Sequence, residues 1–279
     1  ILHKHGIFTF GETAREAYER MIAHVTRAER RLARGRRNVF AAAKLPKEPA
    51  TAADIAPIIR GACAVKPATA DAEPRRFVLD FRSSPAILNF VDASDLADIS
   101  QRGVVTPDHV IRTKNRPLLV PAPDAGKLGD FQGAVRTAVA EYAARYDAMF
   151  ARENARVGKS KVKLDPMPRV VLVPGVGLFG IGATPKDAAI AADLAETAVR
   201  VITDAESIGR FEPLPESDLF DVEYWSLEQA KLKGAVAKPF TSQVVVVTGA
   251  GSGIGRATAK AFAAEGAAVA VLDLDEGAA

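Results

Sequence analysis

Residues 244–273 leave a chain very little freedom in how it can fold. Val244 to Val247 is an unbroken apolar run, and Thr248-Gly249-x-x-x-Gly253-Ile254-Gly255 follows at once. A helical stretch comes next, and a second apolar run, Val269 to Leu272, ends on Asp273. Short apolar runs bounded by glycine turns read as buried strands. Strand, glycine turn, helix, strand and terminal acid together are the front of a dinucleotide-binding β-α-β unit. Gly249 permits the tight turn, Gly253 lets backbone approach a pyrophosphate, and Gly255 lets the helix close on the strand. Thr248 and Ser252 flank the turn, and N–H groups near Ile254 open the helix toward phosphate. The Asp273 carboxylate is expected to accept from ribose hydroxyls and to repel a 2′-phosphate, which favours NAD over NADP. Asp275 is the weaker alternative.

The totals bound the rest. The 279 residues suffice for one large or two medium domains; 48% are hydrophobic and 25% charged, as in ordinary globular proteins. No apolar run approaches the roughly 20 residues needed to span a bilayer, so no membrane association is expected. The single cysteine, Cys63, excludes an intrachain disulfide framework and suits a cytoplasmic setting. The net charge is +3. Arg27, Arg30, Arg31, Arg34, Arg36 and Arg37 crowd the end of the first helical pattern. Cations favour a helix C-terminus and no aromatic residues interleave to stack bases, so nucleic acid is not expected. Ile1 is not an initiator Met and the chain stops six residues past Asp273. The sequence therefore reads as an internal piece of a longer protein.

An α/β fold follows from the order of patterns. Thr13-x-x-Glu16 reads as a capping box. Tyr18, Met21, Ile22, Val25 and Leu32 then recur at helical spacing, predicting a helix to about residue 33 that buries this stripe. His24 falls off the stripe. Residues 1–40 form one unit, 41–76 a linker with a short helix, 77–234 a second α/β lobe, and 235–279 the truncated dinucleotide unit. Within the second lobe, strands are expected at 77–81 and 170–173. Helices are expected at 86–91, 131–150, 185–202 and 226–232. Thr184 caps the 185–202 helix and Pro185 opens it.

Two segments match across 171 positions. Gly6-Ile-Phe-Thr-Phe-Gly-Glu-Thr13 pairs with Gly177-Leu-Phe-Gly-Ile-Gly-Ala-Thr184, each opening a capped helix. They are read as a pseudo-repeat of two related lobes. The repeat also disposes of Gly175-x-Gly177-x-x-Gly180 as a second nucleotide turn, because its helix starts too late and no acid follows at the required distance. Before its glycine the first copy has His5 where the second has Val176.

The stretch Leu2 to Arg20 resembles the C-terminal signature of class II aldolases of the fuculose and rhamnulose phosphate type. In that family a histidine directly before a glycine is the last of three zinc ligands. The resemblance assigns that role to His5, with His3 a weaker candidate. It implies two further ligands in a His-x-His pair upstream, beside a glutamate. Ser100 to Leu118, Pro168 to Gly182, Leu219 to Leu232 and the junction to the glycine turn resemble one bifunctional family. Its members join a rhamnulose-1-phosphate aldolase to a short-chain alcohol (lactaldehyde) dehydrogenase. The resemblance implies sugar phosphate and aldehyde substrates, zinc acting as a Lewis acid on a ketone phosphate, NAD-dependent hydride transfer, and a homo-oligomer. No tyrosine has a lysine four residues on, so the Tyr-x-x-x-Lys catalytic pair of short-chain dehydrogenases is absent and no catalytic residue is assigned. His109, with Arg112, Lys114 and Arg116, could lie near a sugar phosphate or simply in a surface loop. Two rivals stand beside this reading: a non-catalytic, adducin-like interaction module, and a plain short-chain dehydrogenase with an unrelated N-terminal extension.

Overall fold

The computed structural model describes residues 1–36, 39–65, 74–232 and 238–279. Arg37 of the arginine cluster, residues 66–73 of the expected 41–76 linker and residues 233–237 at the boundary between the expected 77–234 and 235–279 units lie outside the described residues. In chain order the helices are α1 (Ala14–Leu32), α2 (Ala52–Ala62), α3 (Pro85–Val91), α4 (Leu96–Ile99), α5 (Val110–Thr113), α6 (Leu128–Arg156), α7 (Pro185–Ile208), α8 (Glu216–Glu223), α9 (Ser226–Ala230) and α10 (Gly253–Ala264). The strands are β1 (Val78–Arg82), β2 (Leu118–Leu119), β3 (Val170–Val173), β4 (Gly177–Gly182), β5 (Val244–Thr248) and β6 (Ala268–Leu272).

β1 to β4 make a sheet in the order β1-β4-β3-β2, antiparallel except for the β2–β3 pair. All four residues of β3 are buried, because helices cover both sheet faces. Side chains alternate between the faces. Val171, Val173, Phe179 and Ile181 pack with α2 and α6, whereas Val170, Leu172 and Leu178 pack with α3 and α7. α2 follows a complete capping box between Thr51 and Asp54 and sinks Ile55, Ile59 and Cys63 into the first of these cores. The helix expected inside a linker is therefore part of the sheet domain. Each such aliphatic burial contributes about 1.5–3 kcal/mol. Burial also raises the Cys63 thiol pKa to about 12, so this cysteine is inert.

The glycines of β4 set the depth of the second layer. A Cβ on Gly180 would lie 2.3 Å from the Ala188 carbonyl oxygen, and one on Gly182 would lie 2.2 Å from the Ala188 nitrogen. With Ala188, Ala191, Ala192 and Ala195 on the facing side of α7, helix and strand approach backbone to backbone. Gly175 and Gly177, at φ +79° and +142°, shape the β3–β4 hairpin. The Gly175-x-Gly177-x-x-Gly180 pattern is thus a hairpin and a packing contact, with no helix N-terminus behind it.

The repeat has a structural counterpart. Thr13 and Thr184 each accept a hydrogen bond from the N–H three residues on, at 3.2 and 3.1 Å. Gly11, which matches Gly182, likewise has its missing Cβ aimed at the first turn of the helix, 2.8 Å from Glu16. The capping box at α1 is only half formed, since the Glu16 carboxylate accepts from Glu12 N–H. The buried stripe expected on α1 is corrected. No residue of that helix is buried, and Tyr18, Ile22 and Val25 are 66%, 46% and 44% exposed. Amphipathic spacing fixes which face a helix offers, but the covering partner must come from elsewhere; α7 touches α1 and Met21 and Leu32 are half-buried, yet Tyr18, Ile22 and Val25 stay exposed. Phe8 and Phe10, beside it, are also exposed, whereas the repeat-matched Phe179 is buried.

Candidate functional site

β5 and β6 pair in parallel, from Val244↔Ala268 to Thr248↔Leu272, and α10 connects them. The turn between β5 and α10 depends on its glycines. Gly249 and Gly253 have φ of +63° and +49°, and a Cβ on either would meet nothing within 4 Å. The space over the turn is therefore open where a phosphate would sit. A Cβ on Gly255 would lie 2.0 Å from Gly249 O, so only glycine lets α10 begin against the strand end. Ser252 is the N-cap residue but makes no side-chain cap, and Ile254 is 88% exposed. The first-turn N–H groups of α10 face this space with no capping side chain in the way, as anion binding at a helix N-terminus requires.

Asp273 folds back onto the turn. Its carboxylate accepts from Asp275 N–H at 3.1 Å and Gly251 N–H at 2.8 Å. These backbone bonds hold its pKa below the ordinary 3.8, so it is anionic at neutral pH. A Cβ on Gly251 would crowd the carboxylate at 2.9 Å, which makes that glycine part of the arrangement too. Thr248, Gly249, Ser252, Gly253, Ile254, Gly255 and Asp273 thus gather at one end of the two-stranded sheet. The residues present fit the adenosine-diphosphate half of a dinucleotide: an open glycine cradle, a helix N-terminus and an anionic acceptor at the tip of the second strand.

The metal expectation fares differently. His5 lies in a turn closed by a Leu2–Gly6 bridge, with Nε2 3.5 Å from Asp108 Oδ2. Lys4 Nζ donates to Pro213 O at 2.9 Å, which docks the same turn on the sheet domain. Among the described residues no three His, Cys, Asp or Glu side chains gather into a metal-binding group. One imidazole beside one carboxylate does not make a four-coordinate zinc site. His3 and His24 are exposed. His109 sits in a 3-10 turn, Pro107–His109, where burial lowers its pKa below 6.5 against the pull of Asp108. Arg112 pairs with Asp187 and Arg116 with Glu216, at 3.3 and 3.7 Å. Arg27, Arg30, Arg31 and Arg34 line a shallow groove along α1.

A cluster that motif spacing misses lies inside the sheet domain. Lys114 Nζ donates to Tyr146 OH at 2.9 Å and to Glu223 Oε1 at 3.0 Å, and Tyr146 shares a 2.7 Å hydrogen bond with Tyr224. Lys114 and Glu223 are 5% and 1% exposed. The Lys114 backbone has φ 62° and ψ 171°, a region that is essentially glycine-only and costs about 1–3 kcal/mol. Here a tyrosine and a lysine do meet, but through the fold. Burial and Glu223 push the Tyr146 phenol strongly upward, the opposite of what an acid–base tyrosine needs. Burial draws the Lys114 pKa below 10.5 against the attraction of Glu223. The cluster ties α5, α6 and α8 together. These residues stand 32 to 109 positions apart, so no local pattern could gather them. The one available signal is tyrosine at Tyr142 and Tyr146, on the buried stripe of α6.

Asp165 adds a pH dependence. Burial raises its pKa, but Arg169 at 2.6 Å, Lys114 and Arg75 outweigh it and hold the carboxyl below 3.8. With the folded value depressed, the stabilisation is complete above the unfolded pKa and disappears as pH falls through the folded one. Urea midpoints measured from pH 7 to pH 2 are expected to show a weaker acid loss in Asp165→Asn. The same substitution costs about 1.5–3 kcal/mol at neutral pH, as expected for a hydrogen bond to a charged group.

Comparison with known proteins gives two family matches. The family model "Aldolase class II, second domain" matches residues 50–232, and "short chain dehydrogenase" matches residues 243–279. The chain is similar to the uncharacterized oxidoreductase YuxG of Bacillus subtilis (strain 168), with 32% identity over 287 aligned positions. That alignment covers 99% of this chain and 40% of YuxG. The chain thus spans about 40% of the length of that relative. It is also similar to the probable oxidoreductase EphD of Mycobacterium tuberculosis (strain ATCC 25618 / H37Rv) and of Mycobacterium bovis (strain ATCC BAA-935 / AF2122/97). Identity to each is 53% over 51 residues, 17% of this chain and 9% of EphD. No solved structure matches. No helix among the described residues is long and apolar enough to cross a membrane.

Proposed function

Because the chain belongs to the class II aldolase second-domain family and runs on into the opening of a short-chain dehydrogenase, we propose that it joins two halves of a bifunctional sugar-catabolic enzyme. In this reading residues 243–279 bind the adenosine-diphosphate half of NAD. The observation that carries it is the open turn at Gly249 and Gly253 with Asp273 hydrogen-bonded onto it. NAD supplies a hydride acceptor when bound. Gly249, Gly253 and the first turn of α10 hold its pyrophosphate, and Asp273 orients the ribose through its hydroxyls. The nicotinamide end and its acid–base groups would be met by residues outside this chain.

The whole protein is proposed to cleave rhamnulose 1-phosphate to a ketone phosphate and lactaldehyde and to pass the aldehyde to the dehydrogenase. That assignment rests on the sequence resemblance and on the pairing of the two domain families in one chain. Zinc chemistry in the aldolase half would need donors beyond His5 and Asp108. The 50–232 domain stands between the two activities as a lobe related to the aldolase by the repeat, without the histidine before its glycine. A homo-oligomer is proposed on the same resemblance.

The cofactor assignment has a direct test. Fluorescence titration of the full-length protein is expected to give tighter binding of NADH than of NADPH by at least about 100-fold, since a 2′-phosphate beside Asp273 costs several kcal/mol. Asp273→Ser is expected to erase most of that preference. Equal affinities in the unmodified protein would remove Asp273 from the site.

A further inference from the structure

Arg256 lies in the opening turn of α10, which has no acidic residue there. A cation at a helix N-terminus works against the dipole, so its placement calls for a reason. Nη2 of Arg256 donates to the carbonyl oxygen of Gly251. The N–H of the same glycine donates to Asp273 Oδ2 at 2.8 Å. One residue of the turn thus carries the cation on its carbonyl and the acid on its N–H. Gly251 is buried, and a Cβ there would lie 2.9 Å from the Asp273 carboxyl carbon. The acid and the cation are therefore both anchored to one tightly packed residue. The N–H groups of Asp275 and Gly251 do most to keep the Asp273 pKa low, and Arg256 adds to them through space. Among the described residues Arg256 makes no ion pair, with Asp273 or with any other carboxylate. Its side chain is exposed, and Gly251 takes one donor of the guanidinium. The group carries five N–H donors in a fork that matches phosphate, so the rest are open to a ligand.

We propose that Arg256 is a second specificity-determining residue of the nucleotide site, placed to pair with a phosphate on the adenosine 2′-oxygen, and that the Asp273 carboxylate is what keeps such a phosphate out. The inference rests on residues 243–279 binding the adenosine-diphosphate half of a dinucleotide. Asp273 accepts from the ribose hydroxyls in that reading, so a 2′-phosphate would be set directly against its negative charge. The guanidinium stands behind it, on the far side of Gly251. Coulomb energy falls with distance, so the nearer carboxylate decides. With the carboxylate gone, the guanidinium meets the phosphate unopposed, in the charge-assisted pairing for which arginine is suited. The site thus holds both elements of a cofactor preference, and one side chain selects between them. A side chain that only braced the turn would serve a 2′-hydroxyl and a 2′-phosphate alike.

The test uses two probes that differ only at the 2′-oxygen, 5′-AMP and adenosine 2′,5′-bisphosphate. Both are titrated calorimetrically into the full-length protein and its variants. Asp273→Ser is expected to bind the bisphosphate at least about tenfold more tightly than the unmodified protein does, as a hydrogen bond to a charged group allows. Adding Arg256→Gln to Asp273→Ser is expected to remove that gain while lowering 5′-AMP affinity far less. Arg256→Lys keeps the charge without the fork and is expected to retain part of the gain. The gain in Asp273→Ser is also expected to shrink as salt is added, because it is a surface charge interaction. That measurement does not depend on whether Arg256→Gln folds. Failure of the unmodified protein to bind 5′-AMP would remove the nucleotide reading, and the proposal with it. With 5′-AMP bound, the proposal is overturned by an Asp273→Ser variant that gains nothing for the bisphosphate, by a gain indifferent to salt, or by an equal loss of both probes in the double variant.

Discussion

Gly180→Ala is expected to destabilise the 50–232 domain by about 3 kcal/mol or more, the upper end for overpacking. The added methyl would fall 2.3 Å from Ala188 O, 2.5 Å from Ala192 N and 2.8 Å from Ala192 Cβ. Two of these are backbone atoms of a helix fixed along its length, so no side-chain rotation relieves the contact. α7 must lift from β4, and the alanine face of the helix then loses its fit against Val170, Leu172 and Leu178. Urea unfolding followed by far-UV circular dichroism reads the loss. Gly133→Ala in α6 is a control of opposite sign. Its Cβ meets nothing within 4 Å and the position is helical, so about 0.5–1 kcal/mol of stabilisation is expected. A neutral Gly180→Ala would mean that helix and sheet do not meet at this distance.

Glu223→Ala is expected to cost about 3–5 kcal/mol, the range for breaking a buried ion pair from one side. Lys114 would keep its ammonium group in a site 5% exposed, hydrogen-bonded to a phenol oxygen and with the Asp165 carboxylate already shared with Arg169. Removing both charges in Lys114→Met with Glu223→Leu leaves the Tyr146–Tyr224 hydrogen bond in place. The double variant is expected to recover most of the loss, because apolar replacements of buried pairs are often neutral or better. The coupling energy from the full double-mutant cycle is the quantity to measure. A single-variant loss below about 1 kcal/mol would show that water reaches the pair.

The sequence made the dinucleotide end plain because every element of it is local. Strand, turn, helix and acid follow one another within 30 residues, and each glycine has a conformational or steric reason fixed by its neighbours. The N-caps at Thr13, Thr51 and Thr184 are legible for the same reason. What stays hidden depends on pairings across the chain. That Gly180 faces α7 follows from the alternation of β4, which is set by its pairing with β1, a hundred residues earlier. Lys114, Tyr146 and Glu223 meet only once α5, α6 and α8 have packed. α1 shows the converse limit. Its periodicity specified a helix correctly, but the chain described offers Tyr18, Ile22 and Val25 no surface to cover them.

The most direct measurement is equilibrium binding of NADH to the full-length protein and to its Gly253→Val variant. A valine at φ +49° is strained, and its side chain would project into the open space over the turn. Saturable NADH binding that disappears in Gly253→Val, with the unfolding transition of the 50–232 domain unchanged, is the result this account predicts. Undiminished NADH binding by Gly253→Val would contradict it.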